Sequence, residues 1–207
     1  MQQTILVTGG FGFLGRAVTL KYKMLGHRVI GMGHSQWTTK QALSFGYDVW
    51  VEASVSLTSL ITLDEKFDLV VHCAGNSSVA HSLTNPFEDF SLNVLATAEL
   101  LEYLRITESE AMLIYPSSAS VYGTCEDIQI NESDNLNPIS PYGYHKKMIE
   151  EIWFTPTCIS QEKAEKKVRQ LLHKRTVEFG KNYLNIIQDV EQRAKPCTDS
   201  LVSRCNI

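Results

Sequence analysis

A short apolar run, Thr4–Thr8, ends in Gly9-Gly-Phe-Gly-Phe-Leu-Gly15 and gives way to a helical pattern over 16–25. Strand, glycine-rich turn and helix in that order are the tightest constraint in the chain. Glycine at 9, 12 and 15 lets the backbone turn sharply, come close to a pyrophosphate and pack the helix against the strand. The N-terminus of that helix then faces the phosphates.

The remaining pattern repeats the alternation. Strands are expected at 28–32, 48–51, 67–73 and 111–116, and helices at 37–45, Leu57–Leu63 and from Asn85 to about Leu104. Asn85 and Pro86, with Glu88 and Asp89 in the first turn, form a helix start with a cap oxygen, a preset φ and acids at the positive dipole end. Ser140 and Pro141 repeat the signal, which puts Tyr142 and Lys146, four residues apart, on one face early in a helix. Such alternation predicts an α/β fold: a doubly wound parallel sheet, the Rossmann arrangement. Residues 1–160 are expected to form this domain, with 155–160 as a sixth short strand. Residues 161–207 read as a C-terminal helical extension of two charged helices broken near Gly180, with a frayed end.

Composition excludes several classes of function. At 207 residues, 43% hydrophobic and 20% charged, the chain suits one soluble domain with an appendage. A net charge of −4 gives no basic footprint for nucleic acid. No apolar run reaches the ~20 residues that span a bilayer, and Met1-Gln-Gln-Thr leads straight into the first strand, so a cytoplasmic protein without a membrane partner is expected. The five cysteines are scattered and lack a CxxC pair, which suggests neither zinc nor disulfides. His72, His81 and His145 have no carboxylate or cysteine at ligand spacing, so structural or surface roles are expected and no metal site.

The chemistry gathers in Tyr115-Pro-Ser-Ser-Ala-Ser-Val-Tyr-Gly-Thr124 and Ser140-Pro-Tyr-Gly-Tyr-His-Lys146. A phenol with pKa ~10 is a poor base at neutral pH. A lysine ammonium one turn away and a cationic nicotinamide ring would both favour phenolate. Ser118 at the strand end can bond the same substrate oxygen. Together, Ser118, Tyr142 and Lys146 can move one proton at a carbinol. At the end of the second strand stands Gly33-His-Ser35, where a carboxylate would bind the adenosine ribose hydroxyls. Its absence would admit a 2′-phosphate contacted by His34, Ser35 or Lys40, a lean toward NADP that leaves NAD open because no arginine is present there.

Thr8-Gly-Gly-Phe-Gly-Phe-Leu-Gly15, His72-Cys-Ala-Gly75, Asn93-Val-Leu-Ala-Thr97, Ser117-Ser-Ala-Ser-Val-Tyr-Gly123 and Tyr142-Gly-Tyr-His-Lys146 together resemble an extended short-chain dehydrogenase/reductase. More narrowly, they resemble the NAD-dependent epimerase/dehydratase group acting on nucleotide-sugars, over roughly the first 150 residues. The resemblance implies Tyr142 as catalytic acid/base, Lys146 as ribose ligand and pKa modulator, and Ser118 as substrate hydroxyl partner. It also implies that Gly9, Gly12, Phe13, Leu14, Gly15, His34, Ser35, Ala74, Gly75 and Asn93 line the cofactor with Tyr142 and Lys146, and that Asn93 supports the active-site helix. The helices bearing Asn93 and Tyr142 would be the faces of a homodimer, and the substrate a UDP-, GDP- or dTDP-linked sugar.

The group's dehydratases carry Thr-Asp-Glu where this chain has Ser118-Ala119-Ser120, so epimerisation is implied and dehydration is not. An NADPH-dependent keto-sugar reductase would use the same residues. Nothing after Ser160 resembles the group's substrate-binding lobe. A rearranged product, a shortened member with its own helical cap, and a non-catalytic dinucleotide-binding or dimerisation module all fit that departure.

Overall fold

The computed structural model describes residues 1–34, 37–124 and 130–154. Five parallel strands form one sheet in the order β3-β2-β1-β4-β5. They are β1 (Thr4–Thr8), β2 (Arg28–Gly33), β3 (Val49–Glu52), β4 (Leu69–His72) and β5 (Met112–Ile114). Central β1 pairs Thr8 with Met32 on one side and with His72 on the other, so the three strands end together. Their carboxyl ends therefore make one edge.

Alternation along β1 divides the core in two. Ile5 and Val7 point into a cluster with Val18 of α1 (Phe13–Met24), Ala42 of α2 (Thr39–Phe45), Tyr47 and Trp50. Leu6 points the other way, against Leu60 of α3 (Leu57–Leu63) and Leu100 and Tyr103 of α6 (Ala96–Ile106). Ile5, Leu6 and Val7 are all fully buried, as a strand covered on both faces requires. The doubly wound expectation therefore holds.

Between β4 and β5 the structure departs from the sequence pattern. A helix α4 (Val79–Thr84), absent from the hydrophobic pattern, precedes α5 (Pro86–Phe90). Asn85 sits between them and does not cap α5 with its side chain, contrary to expectation. Its N–H closes α4 on His81 O at 2.8 Å and its Nδ2 donates to Thr84 Oγ1, so the residue is engaged in ending the previous helix. From α5 the chain continues through a π-helical turn, Ser91–Leu95, into α6. One helix was expected there; the wider turn is what the pattern did not show.

Helix α7 (Pro141–Phe154) carries Tyr142 and Lys146 as expected. The expected strand at 155–160 and the helical extension over 161–207 lie outside the described residues. Among the described residues no helix is long and apolar enough to cross a membrane.

Candidate active site

The glycine turn is built by contacts that leave no room for side chains. Gly9 has φ +64, and a Cβ there would stand 2.7 Å from the Cys73 carbonyl carbon and from Ala74 N. The ends of β1 and β4 touch at this point. Gly12 N donates to Gly9 O at 2.9 Å, and a Cβ on Gly15 would run into Gly9 O and lie 2.9 Å from Gly10 Cα. Gly12 begins α1 without any side-chain cap, so the first-turn amides, including those of Phe13 and Leu14, have neither a helical partner nor a capping side chain. Tyr47 Oη supports the turn from below by donating to Gly10 O at 2.7 Å. The Thr19 hydroxyl bridges Tyr47 Oη and Gly15 O at 2.7 and 2.8 Å.

β2 itself ends without a carboxylate, at Gly33, whose register partner at the end of β3 is Glu52. A Cβ on Gly33 would lie 3.0 Å from the Phe11 ring, so an aromatic from the glycine turn covers this terminus. His34 is exposed, and Ser35 lies outside the described residues. Lys40 lines a shallow cleft on α2 with Trp37, Gln41, Ser44 and Phe45.

The end of β4 is fixed by a proton-ordered chain. Burial holds His72 down to about 3, so the imidazole is neutral. Thr97 Oγ1 donates to Asn93 O at 2.6 Å, which leaves it to accept from His72 Nε2–H at 3.0 Å. His72 Nδ1 then accepts from Thr8 Oγ1 at 2.7 Å, and Thr8 Oγ1 accepts from Ala74 N at 3.2 Å. One direction of donation thus links β1, β4 and the π turn, which makes His72 structural. Beyond it, Gly75 takes φ +138 and lies so close to Asn93 Oδ1 that a Cβ would collide. Asn93 is buried, its Nδ2 donates at 3.1 Å to both the backbone and a carboxylate oxygen of Asp89, and its Oδ1 has no hydrogen-bond partner.

Ser118, Tyr142 and Lys146 are brought together by α7 and the turn before it. Ser140 caps α7 by accepting from Gly143 N at 3.1 Å. A Cβ on Gly143 would stand 2.5 Å from Ser120 O, so glycine at this position lets α7 lie against the 3₁₀ turn Ala119–Val121. Ser118 caps that turn, with Oγ accepting from Ser120 N at 3.2 Å. Burial raises the Tyr142 phenol above its ordinary value; the Ser118 hydroxyl opposes this and Asp89 adds to it. Lys146 is buried, its Nζ 4.5 Å from the Tyr115 ring centroid and 5.6 Å from that of Tyr142. Desolvation pushes Lys146 down to about 8, against Asp89, Cys73 and Glu150, which favour the ammonium.

Several residues at this site are given no role there by the sequence. Tyr115, from the end of β5, forms one wall around Lys146. Ser117 donates to Glu150, one turn beyond Lys146, and ties the strand end to α7. Asp89 read as one of two first-turn acids, but only Glu88 meets solvent, where it pairs with His81 at 3.1 Å. A single carboxylate in a helix start looks the same in sequence whether its helix face is covered or not.

Residues 5–155 match the NAD dependent epimerase/dehydratase family. The UDP-glucose 4-epimerase of Lactobacillus helveticus is 32% identical over 153 residues, covering 72% of this chain and 45% of that protein. The bifunctional UDP-glucose 4-epimerase and UDP-xylose 4-epimerase 3 of Arabidopsis thaliana is 30% identical over 165 residues, covering 73% and 47% respectively. Among solved structures, UDP-glucose 4-epimerase from Brucella ovis in complex with NAD superposes with a TM-score of 0.66 at 28% identity, over 72% of this chain and 46% of that one. The enzyme from Bifidobacterium longum with NAD+ and UDP gives 0.64 at 28%, over 72% and 47%. The chain thus spans less than half the length of the relatives it matches. On the extent of that match, the strand–glycine turn–helix at its start and the Tyr142/Lys146 helix at its end, it belongs to the NAD dependent epimerase/dehydratase family.

Proposed function

We propose that this chain binds NAD and carries the proton-transfer groups for epimerisation at a carbinol carbon of a UDP-linked sugar. The observation that carries the reading is the convergence of Ser118, Tyr142 and a buried Lys146 at the carboxyl edge of the sheet, on the side where the ends of β1 and β4 meet. The residues present fit a dinucleotide. The turn at Gly9, Gly12 and Gly15 is stripped of side chains, and α1 begins uncapped behind it, so Phe13 and Leu14 amides are available to a pyrophosphate. Ala74 and Gly75 would lie along the cofactor, with Asn93 behind them.

Bound NAD supplies reversible oxidation of the sugar carbinol. Tyr142, ionised once the cationic nicotinamide joins Lys146 beside it, would take the hydroxyl proton as the carbinol is oxidised and return it when the carbinol is restored. Ser118 holds the same oxygen in line. Lys146 contributes positive charge beside the phenol and binds the nicotinamide ribose. Relatives named as UDP-glucose 4-epimerases favour UDP over GDP or dTDP as the nucleotide. At β2 the lack of a carboxylate leaves the 2′ position undefended, so NADP is the competitor to measure. Exposed Leu95 and Met148, on the π turn and α7, support a homodimer through these helices.

The test is calorimetric titration of the full chain with NAD and NADP, followed by chromatographic assay of UDP-glucose and UDP-galactose interconversion. Tyr142→Phe is the control. Binding with no turnover would leave a dinucleotide-binding module. Net consumption of NADPH with a keto-sugar would make the protein a reductase.

A further inference from the structure

Asp89, on α5, is a fully buried carboxylate that the sequence marks only as a first-turn acid. Three side-chain donors converge on it. Asn76 Nδ2 reaches Oδ1 at 2.6 Å from the loop after β4, Asn93 Nδ2 reaches the same oxygen at 3.1 Å from the π turn, and His145 Nδ1 reaches Oδ2 at 2.5 Å from α7. A buried carboxylate is costly unless its oxygens are bonded, and here both are. His145 directly precedes Lys146 and follows Tyr142 by three residues, so this grip falls within the segment that carries the chemistry. The Phe90 ring meets the His145 ring edge-on at 5.6 Å, which seals the pair from the side of α5.

We propose that Asp89 is a positioning residue for the Tyr142/Lys146 pair: its carboxylate clamps α7 through His145 and sets a buried negative charge close to both groups. The charged and titratable groups around Lys146 and Tyr142 among the described residues are Asp89 from α5, His145 and Glu150 on α7, His72 and Cys73 at the end of β4, and Tyr115 after β5. Asp89 favours the protonated form of both Tyr142 and Lys146. The proposal rests on Tyr142 and Lys146 being the proton-transfer pair. Its test needs neither cofactor nor substrate, so its failure is distinguishable from a failure of NAD binding or turnover and would leave the epimerase reading untouched.

The experiment is an NMR titration of the full chain carrying isotope-labelled tyrosine and lysine side chains, with the two signals assigned through Tyr142→Phe and Lys146→Met. Asp89→Asn removes the charge and keeps a polar side chain of the same size. Removing a nearby anion eases phenolate formation and weakens the ammonium, so both midpoints move to lower pH. Mere loosening of the site would instead admit water, lowering the Tyr142 midpoint and raising that of Lys146, because burial shifts the two in opposite directions. Opposed movement, or no movement, in folded Asp89→Asn would overturn the proposal. Should that variant fail to fold, Asp89→Asn combined with His145→Gln, which faces amide with amide, carries the same expectation. Failure of both to fold would assign Asp89 to the core alone and overturn it equally.

Discussion

Ser82 and Tyr142 stand 60 positions apart in sequence and share a buried hydrogen bond, Tyr142 N–H donating to Ser82 Oγ at 3.1 Å. The start of a helix leaves amides without partners. In α7 the Ser140 side chain takes the amide of Gly143, and Ser82, reaching across from α4, takes that of Tyr142. Ser82 itself donates to Val79 O at 2.7 Å and is fully buried. A short helix with no signal in the sequence therefore holds the backbone of the residue proposed to carry the chemistry.

Ser82→Ala leaves a buried N–H unpaired at Tyr142, a loss of about 1–3 kcal/mol. The expected result in urea denaturation is a lower midpoint with an unchanged slope. A midpoint equal to the parent's would show that water replaces the serine.

Gly15→Ala puts a methyl group into the carbonyl of Gly9, which is backbone and cannot rotate aside. Overpacking of this kind costs about 1–3 kcal/mol. The turn must also open, so NAD affinity is expected to fall by at least about tenfold, the equivalent of 1.4 kcal/mol. Calorimetry on the folded variant checks this.

Lys146 is held below its ordinary value, from 10.5 to about 8, chiefly by burial. Below pH 8 both the folded and unfolded chains carry the proton, and the folded state bears the full penalty. Between about 8 and 10.5 the unfolded chain binds more protons, so this group's contribution to stability rises with pH. Lys146→Met is expected to stabilise the protein at pH 7 by on the order of 1–3 kcal/mol and to remove the rise above pH 8. Denaturation midpoints at pH 7 and 9.5 measure both.

His72 behaves in the opposite range. Burial lowers it from 6.5 to about 3, so stability is complete above 6.5 and is lost as pH falls toward 3. By pH 4 the loss is on the order of 3 kcal/mol. His72→Gln, neutral throughout, is expected to be less stable than the parent at pH 7 but to show a shallower acid slope.

Tyr142→Phe removes the proposed proton carrier and leaves the ring, the helix and Lys146 in place. If the epimerase reading holds, turnover falls by about 10²–10⁴-fold while NAD binding changes little. Equal turnover in parent and variant would remove Tyr142 from the mechanism.

The sheet was legible because its determinants are local. Apolar β1, glycines at 9, 12 and 15, and Ser140-Pro141 ahead of α7 act within a few residues of themselves, and their pattern survives in one dimension. The ends of elements were less legible: α1 begins at Phe13, inside the glycine motif, because Gly12 serves as its cap. The π turn at Ser91–Leu95 was invisible, since a single widened turn inside a longer helix has no residue signature of its own.

At the site, the sequence by itself determined which chemical groups are available: a hydroxyl at 118, a phenol at 142, an ammonium at 146 and a turn free of side chains before α1. Tertiary structure alone decided their state. Burial against Tyr115 depresses Lys146, and the charge that opposes this comes from Asp89, 57 positions earlier. Motifs record spacing along the chain, whereas desolvation and electric field depend on what packs around a group, and those neighbours come from distant segments.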